Sequence, residues 1–169
     1  MKYFAYGSNL LSSRLRARIP AQSFGMARLS RYVLQWDYHS LDGSGKCNIA
    51  QTSDPSDTVH GVVYEISKSD VPTLDAIEQG YDRIEVVLNH GGKRVSAWAY
   101  IYAEPAVSRP PYTWYKNLVV EGAIEHGFPA EVIQSLRSVA SVPDPDTERP
   151  SKGHAERLVA EARKRPRDG

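Results

Sequence analysis

One acidic residue, Glu78, and one small-residue turn, Tyr6-Gly7-Ser8-Asn9-Leu10, carry the residue types from which this 169-residue chain can build chemistry. Glu78 falls in the last turn of a short helix expected to start at Ser67 or Ser69, rival N-caps, and to close at Gly80. Val71, Leu74 and Ile77 form the helix's apolar stripe, and Pro72 is tolerable only in its first turn. The dipole at a helix C-terminus disfavours a negative charge, and Ile77 is an apolar neighbour, so the Glu78 pKa is expected to rise. A carboxyl group tuned that way can take a proton and give it back. The turn offers the complement. Gly7 is expected at positive φ in a sharp strand-to-helix turn, with Ser8 or Asn9 as the cap. Leu10, Leu11 and Leu15 give the helix a core-facing stripe. The free N–H groups of such a helix start make a seat for a carboxylate.

Other chemistries are poorly supported. Cys47 is the single cysteine, set among strand residues and expected to be a small buried hydrophobe rather than a nucleophile. Ser8 lacks the Gly-x-Ser-x-Gly setting of a hydrolase elbow. The five histidines, at 39, 60, 90, 126 and 154, are scattered singly, so no metal is expected, and Asp144 and Asp146 between prolines do not make a calcium loop. Arg14 and Arg18 lie four apart and are expected on a solvated face, the alternative being that one steers an anionic substrate.

Lys plus Arg (21) nearly balance Asp plus Glu (20), which leaves no field to draw nucleic acid or an anionic membrane. No run of about 18 apolar residues occurs, and Met1-Lys2-Tyr3-Phe4 opens no signal-type segment. With one cysteine and 41% hydrophobic residues, the chain is expected to be a cytosolic single domain.

These residues must be placed by their elements. Tyr3 to Tyr6 reads as a strand, and Asn9 to Arg18 as a helix that stops before Pro20. Phe24 to Tyr38 is strand-like, Asp42-Gly43-Ser44-Gly45 a turn, Cys47 to Gln51 a short return strand and Val59 to Ile66 a clearer one. Gly61 within it marks a bulge or a close backbone approach. Ile84 to Asn89 and Arg94 to Tyr102 form a hairpin around Gly91-Gly92, with Trp98, Tyr100 and Tyr102 on one face. After a loop from Pro105 to Pro111, helices run from about Tyr112 to His126 and from Pro129 to about Ser138. The domain is expected to span 1–141. Residues 142–169 read as a Pro- and charge-rich tail with Lys164-Arg165-Pro166-Arg167 near its end, in which Ala155 to Lys164 is either a docked helix or frayed. The order of elements gives α+β with a mixed sheet.

The motifs Tyr6-Gly7-Ser8-Asn9-Leu10, Leu74-Asp75-Ala76-Ile77-Glu78 with Tyr81, and Tyr115-x6-Gly-Ala-x2-His-Gly-x-Pro129 resemble the γ-glutamylcyclotransferase family over about Met1 to Ser141. The resemblance implies a mixed sheet closed into a small barrel flanked by helices. It also implies a small-molecule γ-glutamyl substrate cyclised to 5-oxoproline with release of the amine, and no cofactor. In that setting Glu78 is the general acid/base, the turn from Tyr6 to Leu10 holds the γ-glutamyl part, and Tyr81 and Tyr115 line the pocket. Gln79 before Gly80 departs from the family, which usually has Gly directly after the Glu. A binding module without turnover and a γ-glutamyl amide hydrolase are the alternatives.

Overall fold

The computed structural model describes residues 1–104 and 107–165. Five strands close into a barrel in the order β1 (Lys2–Ala5), β5 (Thr58–Ile66), β2 (Ala21–Ser30), β6 (Asp82–His90) and β7 (Lys93–Ile101). Most neighbours are antiparallel. The seam closes with β7 parallel to β1, Tyr3 opposite Trp98. β3 (Tyr32–His39) and β4 (Gly45–Gln51) form a separate two-stranded sheet. The fold is therefore α+β around a small barrel, as the order of elements and the resemblance imply.

Alternation decides the barrel wall, because successive side chains of a strand face opposite sides. β5 is apolar enough to be buried on both, with Val62, Val63 and Tyr64 fully covered between β1 and β2. Gly61 in that strand is required by close approach: an added Cβ would sit 2.6 Å from the Ala5 carbonyl oxygen and 2.4 Å from two Phe4 ring carbons. The strand-like stretch from Phe24 to Tyr38 is two strands rather than one. Arg31 takes φ 64°, a left-handed turn that ends β2 and sends β3 out of the barrel.

The opening helix also differs from its expectation. Ser8–Leu10 is one turn of 3-10 helix, Leu11 is extended at ψ 112°, and only then does α1 (Ser12–Arg16) begin. The break lets Leu10, Leu11 and Leu15 all reach the core. Gly7 has φ −112°, so it needs no left-handed freedom. It is glycine for space, since a Cβ there would lie 3.1 Å from Cys47 Cβ and 3.2 Å from the Tyr115 hydroxyl. Neither Ser8 nor Asn9 caps a helix.

Ser67 caps a short 3-10 turn over Lys68–Asp70, which runs into α2 (Val71–Ile77) with Pro72 in its first turn. The β6–β7 hairpin turns on Gly91 and Gly92, both at positive φ. α3 (Thr113–Glu125) is the central helix, burying Trp114, Tyr115, Leu118, Val119 and Val120. It ends where Gly127 takes φ 63°, and α4 (Ala130–Ser138) follows. α5 (Pro150–Lys164) packs Ala155, Leu158 and Val159 inward, with Arg163 Nε 2.7 Å from Glu121 Oε1 of α3. Pro105 and Ala106 of the expected loop, and Pro166 and Arg167 of the basic stretch, lie outside the described residues.

Candidate functional site

Glu78 is the residue directly after α2, closing it with an N–H bond to the Leu74 carbonyl. Gly80 at φ 93° then permits a tight turn in which the Tyr81 N–H returns to the Glu78 carbonyl at 3.0 Å. Gln79 is accommodated there, its carbonyl accepting from the Tyr38 hydroxyl at 3.0 Å. This turn sets Glu78 and Tyr81 side by side.

The Glu78 side chain is 18% exposed and held from one side. Its Oε1 accepts from Asn9 Nδ2 at 2.8 Å, and Arg18 Nη1 stands 3.5 Å away. Asn9 is the shared node: Nδ2 also donates to the Tyr3 hydroxyl at 3.0 Å, while Oδ1 accepts from Arg18 at 2.9 Å. Burial pushes the Glu78 pKa up, and Arg18, the Asn9 bond and Arg14 pull it back only in part. The upward direction expected from sequence therefore stands, but its cause is desolvation rather than the dipole of a helix only seven residues long. Arg14 and Arg18 do not form a solvated face, since both are partly buried beside this carboxylate, and of the three arginines in this stretch only Arg16 is exposed.

Tyr6, Gly7, Ser8, Asn9, Glu78, Tyr81 and Tyr115 line one narrow cavity of about 40 Å³. Leu10 does not. Its side chain is buried at 1% exposure and anchors the turn from beneath. The 3-10 turn replaces the expected helix start, so its contribution is local: the opening N–H groups of such a turn have no partner within it.

Cys47 of β4 is the hub that positions the two tyrosines. Its N–H donates to the Tyr115 hydroxyl at 3.2 Å, and its carbonyl accepts from the Tyr81 hydroxyl at 2.8 Å. The thiol lines the cavity but is inert as a nucleophile, because burial pushes its pKa up to about 12. Tyr3 and Tyr100 complete the wall, and the Tyr6 hydroxyl donates to the Tyr100 carbonyl. Sequence reasoning missed Tyr3, Cys47 and Tyr100 as lining residues. The available signals were an aromatic at the start of the motif strand and the aromatic face of β7, and both look the same as core residues. Among the described residues no cluster of His, Cys, Asp and Glu is arranged to hold a metal ion, and no helix is long and apolar enough to cross a membrane.

Residues 58–136 match the AIG2-like family. A human protein named γ-glutamylcyclotransferase is 35% identical over 150 residues, covering 81% of this chain and 77% of its own. The chain belongs to the γ-glutamylcyclotransferase family. The mouse γ-glutamylcyclotransferase is 33% identical over the same shares. A solved structure named γ-glutamyl cyclotransferase superposes with a TM-score of 0.83 at 32% identity, over 95% of this chain and 98% of that one. The protein is accordingly a γ-glutamylcyclotransferase-like enzyme acting on a small molecule.

Proposed function

We propose that this cyclotransferase converts a γ-glutamyl amino acid or amine to 5-oxoproline and the free amine, with Glu78 moving the protons. The supporting observation is one carboxylate in the cavity, raised in pKa by burial and tied through Asn9 to the Tyr6–Leu10 turn. The substrate's own α-amino nitrogen is the nucleophile, so ring closure needs orientation and proton transfer rather than a covalent enzyme intermediate.

Glu78 takes a proton from the α-ammonium, whose nitrogen then attacks the side-chain amide carbonyl. The Ser8 and Asn9 amides that open the 3-10 turn are the donors assigned here to the oxyanion that develops, the Leu10 amide being bonded to the Gly7 carbonyl. Collapse breaks the bond to the departing nitrogen, which Glu78 protonates. Both protons that the ammonium loses end on the released amine, and no water is consumed. Cys47's two backbone contacts hold Tyr81 and Tyr115 as rigid walls, keeping the folded, ring-like conformer in place.

Mass spectrometry of products from a panel of γ-glutamyl amino acids and amines tests this reading, with Glu78→Gln run in parallel. The native protein is expected to release 5-oxoproline, and the variant to lose at least 10²–10⁴-fold, the usual reach of general acid/base catalysis. Free glutamate, one water heavier, would identify hydrolysis instead. Full activity in Glu78→Gln would sink the mechanism.

A further inference from the structure

The break between the Ser8–Leu10 turn and α1 leaves backbone groups that neither element satisfies. Leu11 is extended there, and the first helical bonds of α1 run from the Arg14 and Leu15 N–H groups to the Leu11 carbonyl, at 2.9 and 3.2 Å. The Leu10 carbonyl is thus left out of the ladder, and the Ser12 N–H opens α1 with no helical acceptor. Leu10 and Ser12 are both buried, where an unpaired backbone group is costly. Their partners come from far along the chain. The Leu10 carbonyl accepts from the Tyr64 hydroxyl of β5 at 2.8 Å, and the Ser12 N–H donates to Glu125 Oε2 of α3 at 2.9 Å.

His126, the residue after α3, closes this arrangement. Its Nε2 lies 3.1 Å from the Tyr64 hydroxyl and 3.1 Å from Ser12 Oγ, which are themselves 3.1 Å apart. Proton counting assigns the roles. The Tyr64 proton is on the Leu10 carbonyl, so the Ser12 hydroxyl proton alone is left for these contacts and a second donor is needed. Burial lowers the His126 pKa, helped by Arg16 and opposed by Glu125 and the Leu10 carbonyl, so the ring is neutral and its one N–H is assigned to Nε2. A donor into the Tyr64 oxygen strengthens that hydroxyl's own bond to Leu10, because chained hydrogen bonds polarise one another. Ser12, His126 and Glu125 are not a nucleophilic set. Glu125 Oε2 faces the same Nε2, at 4.0 Å, and is already taken by the Ser12 N–H, while Ser12 is only 2% exposed.

Resting on the cyclisation reading above, we propose that His126 is a positioning residue for the reaction: acting through Tyr64 and Ser12 on the Leu10 carbonyl, it fixes the Tyr6–Leu10 turn and with it the Ser8 and Asn9 amides assigned to the oxyanion. His126 itself does not line the cavity. The path to it is short. The Leu10 N–H is bonded to the Gly7 carbonyl at 2.9 Å, so a shift at Leu10 is passed to the turn that carries Ser8 and Asn9. Asn9 passes it on to Glu78 through the 2.8 Å bond from its Nδ2.

The test measures kcat, KM and the unfolding midpoint for the native protein, Tyr64→Phe, His126→Ala and His126→Gln, on a γ-glutamyl compound that the native protein cyclises. Leu88→Val, a cavity in the barrel wall on β6, is the control for lost stability alone. Tyr64→Phe and His126→Ala are expected to lose about tenfold or more in kcat with KM changed by less than about threefold, since displaced oxyanion donors cost transition-state rather than ground-state contact. His126→Gln returns an N–H near the Nε2 position and is expected to recover part of the kcat that His126→Ala loses. Leu88→Val is expected to lower the midpoint and leave kcat unchanged. Native kcat in Tyr64→Phe and His126→Ala would overturn the proposal, and so would a matching loss of kcat in Leu88→Val. The amide resonances of Ser8 and Asn9 in ¹⁵N-labelled Tyr64→Phe read the turn without turnover: both are expected to shift, and unmoved resonances would overturn the proposal. If the native protein yields no 5-oxoproline, the cyclisation reading fails by itself and these resonances alone judge the positioning. Should Tyr64→Phe and His126→Ala fail to fold, His126→Gln carries both measurements, and native values in both would count against the proposal.

Discussion

At the scale of the residue, Glu78 illustrates how a side chain receives opposing instructions from its surroundings. Burial favours the neutral acid, while Arg18, Asn9 and Arg14 favour the carboxylate. The net shift is upward, so folding favours the protonated form more than the unfolded chain does. The associated stability is present below the unfolded carboxylate value and declines as pH rises through the raised one. Arg18→Gln removes a group that favours the charged form, so the Glu78 pKa is expected to rise further. If the carboxylate is the base, the ascending limb of kcat/KM against pH then moves to higher pH. A pH profile of native and variant protein checks this, and an unmoved limb would separate Arg18 from the proton transfer.

At the scale of the element, the position of the Tyr6–Leu10 turn depends on how closely α3 approaches it. Gly122 of α3 faces the backbone of Leu10 and Leu11, and a Cβ there would lie 2.5 Å from the Leu10 carbonyl carbon. In an open helix Gly→Ala stabilises by about 1 kcal/mol through propensity. Here the obstacle is backbone, which cannot swing aside, and overpacking typically costs about 1–3 kcal/mol or more. Gly122→Ala is therefore expected to be destabilising, whereas Gly153→Ala in α5, with only the far end of Arg157 at 3.8 Å, is expected to gain stability. Urea midpoints at unchanged m-value would measure both shifts, and the opposite signs are the prediction.

At the scale of the whole molecule, the segment leading into α5 is tied to the central helix by one buried carboxylate. Asp144, with its side chain fully covered, accepts from Trp114 Nε1 at 2.9 Å and Arg149 Nε at 2.6 Å, and from the Asp146 N–H at 3.0 Å. Burial alone would raise its pKa, but the Arg149, Trp114 and Asp146 bonds hold it below the ordinary 3.8. A depressed value means stability that is present above the unfolded pKa and lost as pH falls through the folded one. Asp144→Asn is expected to be less stable than the native protein at neutral pH, with the two converging once the pH drops below the ordinary aspartate value. Thermal melting across that range checks the sign.

Local patterns alone carried much of the architecture. A run rich in β-branched residues identified β5, paired glycines located the β6–β7 hairpin, and Gly127 and Pro129 separated α3 from α4. The resemblance of ordered motifs to the γ-glutamylcyclotransferase family brought Glu78, the small-residue turn, Tyr81 and Tyr115 under consideration together. Three things depended on contacts distant in sequence. Gly7 stands where Cys47 and Tyr115 leave little room, not at a left-handed backbone angle. Arg14 and Arg18, which local spacing assigns to solvent, are partly buried beside a carboxylate some sixty residues away. Glu78 owes its raised pKa to a cavity assembled from β1, β4 and α3 as well as its own element. Residue type and period act over a few neighbours, so they determine elements; desolvation and charge balance sum over everything within several ångströms, and only the folded chain decides what that includes.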